Sequence, residues 1–201
     1  LVGFRMFNRQ SRARAFQVGE QHYDIGNDVF EQMLDPHMNY SCGFWESAQN
    51  LVEAQVAKME MICAKLRLEP GMKVLDVGCG WGGLARWMAG HHGVQVTGVT
   101  VSVEQAKLAR DRCADLPVDI EVRDYRELEG QFDRIVSVGM FEHVGQRNYQ
   151  TFFSKTRSLL KDQGLFLLHT IGAGRDGFAT DRWIEKYIFP NGVLPPAPAL
   201  A

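Results

Sequence analysis

The sequence predicts an α/β fold built on a parallel sheet, and three features predict it. Between residues 73 and 171, short apolar runs alternate with amphipathic segments, the order that right-handed βαβ units produce. The first of these runs, KVLDV at 73–77, reads as a short strand buried on both faces. A glycine-rich turn, DVGCGWGG at 76–83, follows it at once and opens a helix, where bare backbone and a helix N-terminus can approach a ligand closely.

Taken in order, the first element is a helix over 47–68. Val52, Val56, Met59, Cys63 and Leu66 share one face at helical spacing, Ser47 stands as a cap, and Pro70-Gly71 stops it. The strand at 73–77 comes next, then a helix around Leu84 to Met88, a strand at 94–100, a helix at 103–113 and a strand at 119–124. Residues 125–131 are too few for a full helix. A strand at 132–138, a helix at 148–160 and a fifth strand at 165–171 complete the pattern. A short helical stretch near Asp181 to Ile188 precedes a tail in which Pro190, Pro195, Pro196 and Pro198 exclude regular structure.

The chain has 201 residues, 45% of them hydrophobic, which is enough for one sizeable core. A net charge of -2 gives no basic balance for nucleic acid, which is not expected as a partner. The four cysteines, Cys42, Cys63, Cys79 and Cys113, form no CxxC pair, and no apolar leader opens the chain, so neither a disulfide framework nor a metal site is expected and a reducing cytoplasm is the default compartment. No apolar run approaches the ~20 residues that span a bilayer, so membrane contact is expected to be peripheral. Arg5, Arg9, Arg12 and Arg14, interleaved with Phe4, Phe7 and Phe16, suit an anionic lipid surface; the plainer reading is a solvated terminus.

Gly78, Gly80 and Gly83 satisfy GxGxxG, a weak sign of dinucleotide binding. That reading wants an acid at the end of the second strand for the ribose, and the strand ends Gly98-Val99-Thr100 instead. With Asp76 ahead of the glycines, the stretch D-x-G-x-G-x-G resembles motif I of the class I S-adenosylmethionine methyltransferases. That resemblance implies a Rossmann-like sheet in the order 3-2-1-4-5. Most such enzymes carry an acid where Thr100 stands, so the broad family leaves Thr100 unexplained.

A narrower resemblance accounts for it. Read together, HYDIGNDVFEQMLDP (22–36), NYSCGFWE (39–46), LDVGCGWGGLA (75–85), GVTVSVEQ (98–105), SVGMFEHVG (137–145), LLHTIG (167–172) and KYIFPNG (186–192) closely resemble the bacterial cyclopropane-fatty-acyl-phospholipid synthases. Mycolic acid cyclopropane synthases are near relatives. The resemblance implies an N-terminal helical segment at 1–46 covering the cofactor site, and an S-adenosylmethionine-binding core at 47–201. It also implies cofactor contacts from Tyr40 and Ser41, from Gly78, Gly80 and Gly82, from Thr100, Ser102 and Gln105, and from Asp124 and Tyr125. Ser102 and Gln105 equally fit a helix capping box, and Tyr125 could simply pack over the sheet edge.

The stretch IVSVGMFEHVG at 135–145 leads from a core strand into Glu142 and His143, two groups that are costly to bury. The resemblance implies a use for the first. The cis double bond of a phospholipid acyl chain attacks the donor methyl, and a bound bicarbonate ion takes the proton whose loss closes the three-membered ring. Bicarbonate contacts then fall on the backbone of Cys42, on Glu142, on His169 and on the backbone of Ile171, with a family tyrosine further downstream. A carboxylate near the ion should raise its basicity, and donors should hold it. From the residues alone, Glu142 reads as a salt-bridged acid and His169 as a satisfied core histidine; His143 keeps a structural reading, and the Cys42 thiol has no neighbouring base in sequence to give it a covalent role.

The relatives implied by the resemblance continue past KYIFPNG with two more strands and the acyl-pocket helices, so the core is expected to be C-terminally incomplete. The fifth strand then becomes an exposed apolar edge, which favours a homodimer. The expected activity is cyclopropane formation on unsaturated phospholipid acyl chains. The alternatives are a catalytically silent fragment that binds S-adenosylmethionine or a partner, and a methyltransferase for another lipid or small molecule.

Overall fold

The computed structural model describes residues 27–174, 183 and 192–196. The basic N-terminal residues, the helical stretch expected near Asp181 to Ile188 and most of the proline-rich tail lie outside them. The described elements run α1 (Asp28–Met33), α2 (Leu51–Leu66), β1 (Lys73–Val77), α3 (Gly83–His92), β2 (Gln95–Thr100), α4 (Val103–Cys113), β3 (Val118–Val122), β4 (Phe132–Val138), α5 (Tyr149–Leu159) and β5 (Leu160–His169). Single 3-10 turns at Tyr125–Glu127, Phe141–His143 and Gln146–Asn148 fill the connections.

Five strands pair in parallel in the order β3-β2-β1-β4-β5. The order reverses direction at β1 and β4, so the crevice between their carboxyl ends is the place where open α/β sheets hold ligands. Alternation along β1 sends Val74 into a layer with Met59, Ile62, Leu66 and Met88, and Leu75 and Val77 into the opposite layer with Ile135, Phe141 and Phe152. Both faces are therefore covered. Phe141 and Phe152 are fully buried and stack their rings edge to face at 5.1 Å, each worth roughly 1.5–3 kcal/mol of transfer free energy.

Boundaries moved where side chains competed for backbone groups. The first long helix starts at Leu51, and its cap is Asn50 in place of Ser47. Asn50 Oδ1 accepts from the Glu53 amide at 3.0 Å while Glu53 Oε2 accepts from the Gln49 amide at 2.8 Å, a reciprocal cap that Ser47 has no acid positioned to match. The helix ends at Arg67 in the left-handed region, φ 50°, ahead of the proline. The third strand stops at Val122, because the Asp124 side chain accepts from the Arg126 amide at 2.9 Å and starts a 3-10 turn.

The fifth strand starts five residues before the expected Leu165. Leu160 already pairs with Phe132, and a register irregularity carries the exposed Lys161–Gln163 stretch before Leu165 pairs with Arg134. It ends at His169, opposite Val138. Ile171 thus falls outside the ladder. Among the described residues β5 pairs with β4 alone, leaving its other edge open.

Candidate active site

The glycine turn after β1 is shaped by its own backbone needs. The amides of Gly78 and Cys79 both donate to Val99 O, at 2.9 and 3.0 Å, which ties the turn to β2. Gly78, Gly80 and Gly82 hold positive φ values of 87°, 54° and 78°, a region costly to residues with a Cβ. Around Gly80 nothing lies within 4 Å of where a Cβ would sit, so the chain there borders open space. Gly82 instead faces Ala109 and Cys113 of α4.

A strap of residues 35–42 covers the turn. Asp35, 3% exposed, accepts from the His37 and Asn39 amides at 2.9 Å each. Arg112 reaches the Pro36 carbonyl at 2.7 Å, and a Cβ on Gly83 would overlap the His37 carbonyl oxygen. From α2, Gln55 Nε2 donates to Ser41 O at 2.8 Å and Lys58 Nζ donates to Ser41 Oγ at 2.7 Å. Phe30 of α1 packs against Trp81 at 4.7 Å and Tyr40 at 5.5 Å, and Trp81 Nε1 donates to Asn27 Oδ1.

Between strap and sheet lies a cavity at the carboxyl ends of the strands. Its wall includes Tyr40, Ser41 and Lys58, then Asp76, Gly78, Gly80 and Trp81, then Thr100 and Gln105, then Asp124 to Arg126, and finally Gly139, Met140 and His143. Of the residues expected to contact a cofactor, Tyr40, Ser41, Gly78, Gly80, Thr100, Gln105, Asp124 and Tyr125 line it; Gly82 and Ser102 do not. Gly82 serves the approach of α4. Ser102 caps that helix, its Oγ accepting from the Gln105 amide at 3.1 Å.

Thr100 and Gln105 face the cavity already bonded to each other, Oγ1 to Oε1 at 2.8 Å. Asp124 is 1% exposed and carries a two-point ion pair with Arg126, at 2.6 and 2.8 Å, so its carboxylate is largely satisfied within the protein. Burial pushes the Tyr125 phenol up to about 12, and its ring packs edge-on against Phe152 at 5.3 Å. Asp76 is different. It is fully buried, its carboxyl is pushed up to about 7 by desolvation, and Oδ2 has no partner among the described residues.

Beside the cavity, and outside its lining, sits a second group. Cys42 Sγ lies 3.5 Å from His169 Nε2, and Glu142 Oε1 accepts from the Ile171 amide at 2.6 Å. Glu142 Oε2 and His169 Nδ1 are buried without partners among the described residues. Burial lowers the His169 pKa first, and the positive charge of Lys58 lowers it further against an opposing pull from Glu142. The four residues expected around a small anion are thus near one another. The Ile171 amide, however, already serves Glu142, because β5 ends two residues earlier and leaves that amide free to turn toward the acid.

Lys58, Arg126 and His143 are among the cavity residues outside the expected contact set. Lys58 and Gln55 are polar positions three apart on the buried face of α2, a signal masked by the apolar residues around them. Arg126 is readable only once Asp124 is known to turn the chain. His143, expected to be structural, reaches the cavity wall.

The sequence model of the family described as mycolic acid cyclopropane synthetase matches residues 10–201. The cyclopropane-fatty-acyl-phospholipid synthase of Escherichia coli K12 is 59% identical over 195 residues, 97% of this chain and 51% of that protein. The chain thus spans about half the length of that curated relative. Among solved structures, the cyclopropane synthase MmaA2 of Mycobacterium tuberculosis superposes with a TM-score of 0.85 at 33% identity, covering 92% of this chain and 71% of that one. The mycolic acid cyclopropane synthase CmaA1, complexed with SAH and CTAB, gives 0.84 at 35% identity, with the same two coverages.

Proposed function

The chain belongs to the mycolic acid cyclopropane synthetase family, and on that premise we propose that it transfers a methylene unit from S-adenosylmethionine to the cis double bond of an unsaturated phospholipid acyl chain. The observation that carries this reading is Asp76, a fully buried acid on the cavity wall whose Oδ2 has no partner among the described residues, next to the open space at Gly80. A carboxyl held near neutrality by desolvation gains most from a cationic or hydrogen-bond-donating ligand. A sulfonium amino acid attached to adenosine offers both, and supplies an electrophilic methyl when bound.

The residues present fit that group. Asp76 and the glycine turn accept and approach it, Tyr40 and Trp81 close the cavity with apolar surface, and Thr100 with Gln105 offers a hydroxyl and an amide at the end of β2. Relocation of a methyl group onto carbon needs a site whose other nucleophiles are weak. The Cys42 thiol stays outside the cavity wall, directed at His169, and the Cys79 thiol on the wall is kept protonated by burial and donates to the Gly80 carbonyl.

Ring closure also needs a proton acceptor, and we assign that part to bicarbonate beside Glu142 and His169. Glu142 Oε2 and His169 Nδ1, which have no partner among the described residues, are the atoms available to such an ion. Ile171 contributes by holding Glu142 at 2.6 Å, which fixes the acid's direction. Peripheral contact with a lipid surface would deliver the acyl chain, and no helix among the described residues is long and apolar enough to cross a membrane.

The test is calorimetric titration with S-adenosylhomocysteine, followed by mass spectrometry of lipids from cells expressing the chain. The proposal expects saturable binding and acyl chains heavier by one methylene, with the double bond lost. Binding without any lipid product would leave a cofactor-binding unit only, and a methyl-branched product would replace ring formation by simple methyl addition.

A further inference from the structure

Lys58 is 2% exposed, yet it lies on the wall of the cavity. An ammonium carries three donors, and among the described residues only Ser41 Oγ, at 2.7 Å, receives one. The other cations of the wall are neutralised within the protein, Arg123 by Glu121 at 3.0 Å and Arg126 by Asp124 at 2.6 Å. Lys58 has no such acid among the described residues. The Asp35 carboxylate, whose charge reaches it, has its two oxygens engaged by the His37 and Asn39 amides.

A buried ammonium with two donors unmatched costs several kcal/mol unless something of opposite charge joins it. Its surroundings also tie it to the second group: its charge bears on His169, and the Cys42 side chain lies near enough to act on it. Resting on the reading of the cavity given above, we propose that Lys58 is an anion-binding residue of this site, and that its occupant is a carboxylate-type anion. That chemistry has two sources, the terminal carboxylate of the amino-acid methyl donor and free bicarbonate. Burial, which pushes Lys58 down to about 8, leaves it able to respond to either.

The full chain is compared with its Lys58→Met and Lys58→Arg variants, folding being checked by circular dichroism. Three probes are titrated: S-adenosylhomocysteine, 5′-methylthioadenosine, which lacks the amino-acid carboxylate, and 13C-labelled bicarbonate followed by NMR. If the donor's carboxylate is the occupant, Lys58→Met weakens S-adenosylhomocysteine by about tenfold or more, leaves methylthioadenosine within about threefold, and Lys58→Arg recovers part of the loss. If bicarbonate is the occupant, only the bicarbonate titration collapses in Lys58→Met.

Equal weakening of both nucleosides with bicarbonate untouched would assign Lys58 to holding Ser41 and overturn the proposal. So would a Lys58→Met protein that binds all three probes as the unmodified chain does. Failure of the unmodified chain to bind any of them removes the cofactor reading itself, and this inference with it, a result separable from the others because the unmodified protein shows it.

Discussion

The backbone amide of Ile171 donates to Glu142 Oε1 across 2.6 Å, so the residue beyond β5 and the turn beyond β4 hold one another. A glutamine at 142 can keep that acceptor while removing the charge. Glu142→Gln is therefore expected to fold normally, to bind S-adenosylhomocysteine within about threefold of the unmodified chain, and to lose about a hundredfold or more in acyl-chain product formation. Calorimetry and lipid mass spectrometry on one preparation measure both, and normal turnover would remove Glu142 from the chemistry.

Asp76 makes ligand-free stability depend on pH. Its folded carboxyl sits at about 7 through burial, against about 3.9 in an unfolded chain. The folded state therefore holds the proton more tightly, and stability falls as pH rises from about 4 to about 7 before levelling. Thermal melts at pH 5 and pH 8 should show a drop of several degrees in the unmodified chain and a clearly smaller one in Asp76→Asn. Parallel drops in the two proteins would contradict the assignment.

Ser102 and Thr100 separate a cap from a cavity wall. Ser102→Ala deletes the acceptor for the Gln105 amide, and should cost about 1 kcal/mol of stability while leaving S-adenosylhomocysteine affinity within about twofold. Thr100→Val removes the hydroxyl that faces the cavity and bonds Gln105. It should weaken the same ligand by about fivefold or more. Denaturant melts and calorimetry on both variants read the contrast directly.

Gly83 and Gly80 make a similar pair. A methyl at Gly83 would overlap the His37 carbonyl, whereas one at Gly80 meets nothing within 4 Å and only strains a φ of 54°. Gly83→Ala should push the strap away, raising hydrogen exchange across residues 37–42 by about tenfold or more. Gly80→Ala should leave that exchange near its original rate and cost about 1 kcal/mol of stability. Equal exchange in the two variants would show that the strap does not seat on Gly83.

The sequence by itself determined the five parallel strands, their alternation with helices and the glycine turn ahead of α3. Those features are local: a hydrophobic period, a run of β-formers and a glycine each act within a few residues, so KVLDV and the helix at 103–113 were readable as they stand. The early start of β5 was not, because Lys161–Gln163 is polar and lies in the register irregularity between the pairings of Leu160 and Leu165 with β4. Resemblance then supplied the site residues by motif. The Ser102 cap was legible as part of S-x-x-Q, whereas tertiary structure alone decided that Gly82 serves α4 and that Ile171 is drawn to Glu142. The physical reason is that buried polar groups must find partners, and those partners come from elsewhere in the chain. Lys58 meets Ser41 across 17 residues and Cys42 meets His169 across 127, separations that no local pattern encodes.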